Sequence, residues 1–237
     1  TQASNQHEAW LIKFPAQQEH PEVCAIEAVY AECLRLCAIE TPDTHFFNLP
    51  NGLTAFASKR FDRQNGMRIP MQSLAAYTGA DYKVPGSLDY RSFLRETLMC
   101  TQDVRQRLHA FKRAVFNVLF NNRDDHTKNF SFLMAKNGQW KLAPAYDVTF
   151  CEGPGGYHQM DIMGEALNIS RNDIHKLGTS EANLTTLEVD EIILTMREIA
   201  LQFSQIAQRL YPHQIRESTL QMIQSRIQQN IDFLTET

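Results

Sequence analysis

The sequence predicts an α+β protein of two lobes, a small mixed strand-and-helix lobe over 1–63 and a larger, predominantly α-helical lobe over 64–237. Three observations lead there. Short apolar runs bounded by turn residues occupy the chain up to about residue 65, amphipathic stripes at three- and four-residue spacing dominate from residue 90 onward, and one strand-like pair interrupts those helices around Asn137-Gly138.

In the first lobe, Trp10 to Phe14, His45 to Leu49 and Thr54 to Phe61 read as strands. Asn51-Gly52, between the last two, is a hairpin signal because both residues tolerate a left-handed backbone. Glu22 to Ala38 places Val23, Ile26, Tyr30, Cys33 and Cys37 on one helical face, with Glu27 at its edge, and Pro42 keeps that helix from running on. In the second lobe, Val104, Leu108, Phe111, Val115, Val118 and Leu119 make one stripe. Val189, Ile192, Met196, Ile199, Phe203, Ile206 and Leu210 make another, and Leu220, Ile223, Ile227, Ile231 and Leu234 a third after Pro212. FSFLMAKNGQWKL (130 to 142) reads as a hairpin set among helices.

The 237 residues are 43% hydrophobic and 21% charged, enough apolar sequence for a packed core, which excludes general disorder. Lys and Arg number 23 against 27 Asp and Glu, so the net charge of -4 gives no overall field for nucleic acid or an anionic membrane. Any phosphate has to be held by a local site. No apolar run spans a bilayer, and Thr1 to Glu8 is polar without a signal-peptide pattern, so the expectation is a cytoplasmic protein with no membrane partner. The five cysteines, odd in number and without a Cys-x-x-Cys pair, argue against a disulfide framework or structural zinc.

The segment from Asn121 to Asp147, NNRDDHTKNFSFLMAKNGQWKLAPAYD, holds the densest polar chemistry. With a two-residue turn at Asn137-Gly138, facing positions sum to about 275, which sets Asn129 opposite Tyr146 or Asp147. An amide oxygen and a carboxylate would then converge as hard ligands for Mg²⁺, with water and substrate phosphates completing the shell. Asp124 precedes Asn129 by the Asp-x-x-x-x-Asn spacing of a protein-kinase catalytic loop, whose Asp accepts the substrate hydroxyl proton. Kinase chemistry also needs a strand Lys on the phosphates and a helix Glu to hold it, and Lys13 followed by Glu27 supplies both types in order. Taken singly, each has a plain structural explanation. Lys13 and Glu27 could be surface charges, Asp124, Asp125 and His126 a cap or turn, and Asp147 a cap. Their joint order favours chemistry.

With these residues in hand, the chain resembles the HipA-like serine/threonine kinases, toxins of bacterial toxin-antitoxin operons, and among them a compact, HipT-like member carrying the C-terminal kinase core. The resemblance rests on WLIKFP (10 to 15), KRFDR (59 to 63), NNRDDHTKNF (121 to 130) and LAPAYDVTF (142 to 150), supported by MQSLAAYTGADYKVPGSLDY (71 to 90). It implies a protein-kinase-like two-lobed fold using ATP and Mg²⁺. Lys13 would meet the ATP phosphates, Glu27 would position it, and Lys59, Arg60 and Phe61 would form the hinge at adenine, fixed by Asp62 and Arg63. Asp124 would be the catalytic base, His126 and Lys128 phosphate-side neighbours, and Asn129 and Asp147 the Mg²⁺ ligands. Tyr146 and Asp147 stand where typical protein kinases carry Asp-Phe-Gly, with Val148 in place of the glycine, so a flip of that loop is not implied.

Family members carry a phosphate-binding loop, often with an autophosphorylated serine, upstream of the Lys strand. The residues before Trp10 hold none, so the expectation is a longer chain or a separate polypeptide that supplies it. Gly153-Pro154-Gly155-Gly156 lacks a following Lys-Ser/Thr and reads as an ordinary loop. The resemblance further implies a small helix-turn-helix antitoxin as partner, DNA contacted through that complex, and a translation protein such as an aminoacyl-tRNA synthetase as the phosphorylated substrate. Two other functions compete. One is a catalytically impaired module that binds nucleotide or a partner without turnover. The other is a metal-dependent phosphohydrolase built on Asp124, Asp125 and His126, although His109, His158 and His175 show no ligand spacing.

Overall fold

A computed structural model describes residues 8–235; most of the polar segment Thr1 to Glu8 lies outside them. The small lobe is a three-stranded antiparallel sheet of β1 (Trp10–Lys13), β2 (Thr44–Asn48) and β3 (Thr54–Lys59), backed by α1 (Glu22–Leu36). The strand order β1-β3-β2 leaves β3 central, and its first four residues are buried while β1 and β2 are mostly exposed. Phe56 of β3 packs on Cys24, Ala28 and Ala31 of α1. A short hairpin, β4 (Arg63–Gln64) and β5 (Met67–Arg68), then begins where the sequence places the lobe boundary.

In the second lobe, β6 (Met71–Ser73) leads into α2 (Leu74–Thr78), followed by α3 (Tyr90–Thr101) and α4 (Val104–Leu119). The hairpin β7 (Ser131–Met134) and β8 (Trp140–Leu142) joins β6 in a sheet of order β6-β7-β8, so residues 71–73 belong with the hairpin and not with the small lobe. Helices α5 (Arg171–Glu181), α6 (Thr186–Leu201), α7 (Phe203–Leu210) and α8 (Glu217–Thr235) complete the lobe. Capping boxes at Ser170 with Asp173 and Thr185 with Glu188 start α5 and α6 by satisfying orphan N–H groups. Gly178 lets α5 cross its neighbours closely: a Cβ there would lie 2.5 Å from Val189 Cγ2 and 3.0 Å from Phe111 Cζ.

One core runs through both lobes. Tyr30 of α1, fully buried, sets its ring edge-on to Phe116, Phe120 and Phe203 at centroid distances of 6.4, 6.1 and 5.4 Å, and its hydroxyl donates to Phe120 O. Each such aromatic pair contributes about 0.5–1.5 kcal/mol beyond area burial. The helix that carries Glu27 is thereby seated on the end of α4, just before the loop that carries Asp124.

The structure departs from the expected elements in three places. The stripe from Val189 to Leu210 is two helices, because Gln202 (φ -95°, ψ 5°) caps α6 and Phe203 restarts the chain into the Tyr30 cluster. Both hairpin loops carry one residue more than a two-residue turn. Leu49 N–H bonds Leu53 O around Pro50, Asn51 and Gly52, and Ala135 N–H bonds Gln139 O around Lys136, Asn137 and Gly138. The extra residue shifts the second hairpin by one position, to Phe132–Leu142 and Met134–Trp140, and Asn129 sits in a 3-10 turn (Thr127–Asn129) ahead of β7, outside the ladder expected to set it opposite Tyr146 or Asp147.

Candidate active site

The cleft between the lobes, about 220 Å³, is lined by Leu11, Lys13, Phe56 and Ser58 from the sheet, Glu27 and Ala31 from α1, and Ala145 to Val148 from below. Alternation along β1 aims Lys13 inward, paired in register with Phe56 of β3. Lys13 Nζ donates to Glu27 Oε1 at 2.7 Å and also to Asp147 Oδ1. Burial pulls the Lys13 ammonium down, but the charges of Glu27 and Asp147 outweigh it and hold the group above its ordinary value. Burial pushes the Glu27 carboxyl up, and the Lys13 ammonium offsets only part of that. Asp147 is half exposed and sits at φ 57°, a left-handed conformation that side chains other than Asn and Asp adopt reluctantly. The segment before it is pinned by Arg113, whose Nη2 donates to Ala143 O, by Ala145 N–H to Glu40 O (2.7 Å), and by Thr41 Oγ1 to Ala145 O (3.1 Å).

The catalytic-loop candidate leaves α4 through Asn121 (φ 53°) and rests on a buried polar chain. Asn122 Nδ2 donates to Asn117 Oδ1 (2.9 Å), Asn117 Nδ2 to the Tyr90 hydroxyl (2.9 Å), and that hydroxyl to Asp125 Oδ2 (2.8 Å). His158 Nδ1 lies 2.7 Å from Asp125 Oδ2, and Gln159 N–H donates to Asp125 Oδ1 at 2.7 Å. Arg123 holds the other flank by donating to Gly156 O, and the loop can approach because Gly153 lacks a side chain: a Cβ there would meet Arg123 Cβ at 2.7 Å. With Asp125 committed downward, Asp124 turns the other way. Its side chain is 44% exposed, accepts from Gln159 Nε2 at 2.8 Å, and lies 3.7 Å from His126 Nε2. Burial raises the Asp124 carboxyl above its ordinary value, the His126 ring pulls it back in part, and Asp147 raises it further.

Asn129 donates Nδ2 to Asp124 O at 2.9 Å, which leaves its Oδ1 as a ligand oxygen. Among the described residues no three His, Cys, Asp or Glu form a ready-made metal cage. Asn129 and Asp147 fit the sparse donor set from which Mg²⁺ is held when phosphates and water complete it. The Tyr146 hydroxyl lies 2.6 Å from Ser131 Oγ and donates to Lys128 O at 2.7 Å, and its ring packs against Phe61 at 5.5 Å.

The structure thus brings Lys13, Glu27, Tyr146 and Asp147 into the cleft wall, with Asp124, His126 and Asn129 on the adjoining loop. It does not bring Lys59, Arg60 or Lys128 to the wall. Lys59 Nζ is tied to Glu8 Oε1 (2.5 Å), Arg60 is bidentate to Asp62 (2.9 and 2.7 Å), and Lys128 Nζ sits 4.0 Å from the Tyr82 ring centroid. Arg63 also pairs with Asp62. Sequence reasoning missed Asp125, Tyr90, Asn117, His158 and Gln159 as the loop's support. Asn122-Arg123-Asp124-Asp125 alone carries a local hint, two adjacent acids of which one is forced inward.

The HipA-like C-terminal domain model matches residues 1–210, and the chain belongs to that family. A Haemophilus influenzae protein named "Putative kinase" is 26% identical over 165 residues, covering 60% of this chain and 45% of the relative. Among solved structures, HipA of Shewanella oneidensis, determined with HipB and operator DNA, matches at TM-score 0.74 and 17% identity over 95% of this chain and 58% of its own. The Helicobacter pylori proinflammatory kinase CtkA matches at TM-score 0.63 and 13% identity, over 96% and 88%. The fold is kinase-like. The chain spans about half the length of the curated relative it matches.

Proposed function

We propose that this chain is an Mg-ATP-dependent serine/threonine protein kinase of a toxin-antitoxin pair. The observation that carries the reading is the Lys13–Glu27–Asp147 ion cluster in the cleft wall, with Asp124 and Asn129 joined by a hydrogen bond beside it. When bound, Mg-ATP supplies the transferable phosphoryl group and the cation that offsets its charge. The chain's part is positioning. Lys13, oriented by Glu27, would hold the phosphate oxygens in place of Asp147, and Asp147 and Asn129 would hold the metal. Asp124 orients the acceptor hydroxyl and takes its proton, with His126 on the phosphate side. The backbone after β3 is the hinge. The N–H groups of Lys59 and Arg60 are spent on Asp43 O and Ala9 O, so adenine is left the Phe61 N–H and the carbonyls of that stretch.

A partner is supported by the HipB and DNA in the Shewanella oneidensis complex, and the translation-protein substrate by the family resemblance alone. The exposed side chains of Trp10, Leu11, Ile12 and Phe14 on and beside the edge strand β1 favour an added strand there, from upstream sequence or a separate polypeptide. No described helix is long and apolar enough to cross a membrane.

Thermal unfolding with and without Mg-ATP tests the reading. Ligand at 100 times its dissociation constant stabilises by about 2.7 kcal/mol, or roughly 5–10 °C for a chain of this size. The shift should appear in the parent and shrink in Asp147→Asn; an equal shift in both removes Asp147 from the metal.

A further inference from the structure

The run from Gly79 to Tyr90 does not line the nucleotide cleft, yet it packs on Gln159 and His126, the two side chains next to Asp124. Gly86 N–H donates to Gln159 O at 2.8 Å, next to the side chain that holds Asp124, and Tyr90 N–H donates to Asp161 O at 3.0 Å. At the other end, the Tyr82 ring meets His126 at 5.8 Å, and His126 is itself 3.7 Å from Asp124. Two tight turns, Val84 N–H to Asp81 O and Ser87 N–H to Val84 O, present Tyr82, Lys83 and Val84 outward.

Two cations share that ring. Lys128 Nζ lies 4.0 Å and Lys83 Nζ 6.0 Å from the Tyr82 centroid, and both lysines are exposed. Neither ammonium has a carboxylate within ion-pair distance among the described residues. Asp81, the acid of the same turn, accepts the Lys83 N–H (3.0 Å), and its carboxylate lies beyond 4.0 Å of both ammonium groups. The result is an aromatic platform with two free positive charges and an exposed valine, one side chain away from the catalytic Asp candidate.

Resting on the kinase reading above, we infer that Tyr82, Lys83, Val84 and Lys128 form the docking surface for the acceptor polypeptide and select a Ser or Thr flanked by an acidic side chain. The cleft wall takes the nucleotide, so the acceptor hydroxyl has to reach Asp124 from this side. A carboxylate flanking it meets two ammonium groups already oriented by the ring, and the apolar stems and Val84 cover the peptide backbone. Lys128 then acts on the acceptor and not on ATP.

The test uses Ser peptides with Asp, neutral or Lys residues flanking the acceptor, read both by phosphate transfer from Mg-ATP and by fluorescence polarisation without nucleotide. The parent should favour the acidic series in both readouts by about two- to fivefold, the scale of one solvent-exposed charge pair. Lys83→Glu should erase or reverse that preference with the Mg-ATP KM unmoved, and Lys128→Glu should raise the acceptor KM. Turnover without acidic preference overturns the surface and leaves the kinase reading standing. Acidic preference in binding without turnover leaves the surface and sinks the kinase reading. A Lys128→Glu variant whose only defect is a higher Mg-ATP KM assigns Lys128 to the nucleotide and also overturns the proposal.

Discussion

The cleft wall and the floor beneath the Asp124 loop use the same chemistry in opposite surroundings. In the wall, Asp147 is half exposed, in a left-handed conformation at φ 57° and bonded to a single ammonium that phosphates can displace. In the floor, Asp125 is wholly buried and accepts from Tyr90, Gln159 and the ring of His158. A carboxylate satisfied by three donors in low dielectric is a fixed strut; one with a single exchangeable partner is free to take a metal. The adjacent acids Asp124 and Asp125 show the same contrast of open and fixed carboxylate across one peptide bond.

The strongest way to break this division is Asp125→Ala. It strands the Tyr90 hydroxyl, the Gln159 N–H and the His158 ring in the core. The expected loss is about 3–5 kcal/mol in urea unfolding, with turnover abolished as the loop loses its seat. Near-parent stability would show the floor to be dispensable. Asp124→Ala should do the reverse, lowering kcat by about 10³, or about 4 kcal/mol of transition-state stabilisation, with unfolding little changed. Because burial holds the Asp124 carboxyl above its ordinary value, turnover should fall on the acid side from a higher pH than an unperturbed Asp would give. A flat pH–rate profile with normal Asp124→Ala turnover removes it as the base.

The division also marks what a sequence can display. Lys13, Glu27, Asp124, Asn129 and Asp147 stand out in the sequence because a kinase site would need those types in that chain order, and the fold gathers them in and beside one cleft; α1, α4 and α8 were legible because long apolar stripes repeat at helical spacing. His158 and Gln159 were not, since 33 and 34 residues separate them from Asp125 and no period links them. Register was misjudged by one position because Asn-Gly fixes the turn's handedness without fixing how many residues the loop holds. The break at Gln202 follows from Phe203 reaching Tyr30, a long-range contact that overrides an unbroken local stripe.

The two acids of α1 extend the comparison to its smallest expected effect. Glu22, buried at the start of α1, accepts from Arg216 N–H (2.9 Å), Arg216 Nη2 (2.5 Å) and Thr219 Oγ1 (3.0 Å), bolting α1 to the start of α8. Burial pushes its carboxyl up, but the Arg216 bonds prevail and hold it below the ordinary range. Its folded value being depressed, Glu22 stabilises the protein above its unfolded pKa of about 4.3. That stability is lost as pH falls through the folded value. Glu27, five residues further along α1 and raised by burial, has the opposite sign: the folded state favours its protonated form, so the stability linked to it declines as pH rises from about 4.3 through the raised value. Glu22→Gln should therefore lower Tm at pH 7, and the gap to the parent should close on acidification. Glu27→Gln should follow the reverse course, its gap to the parent shifting toward relative stabilisation as pH climbs. If both variants track each other with pH, α1 is not held by a fixed bolt at one end and a mobile ion cluster at the other, and the contrast between strut and exchangeable ligand does not extend to the helix that positions Lys13.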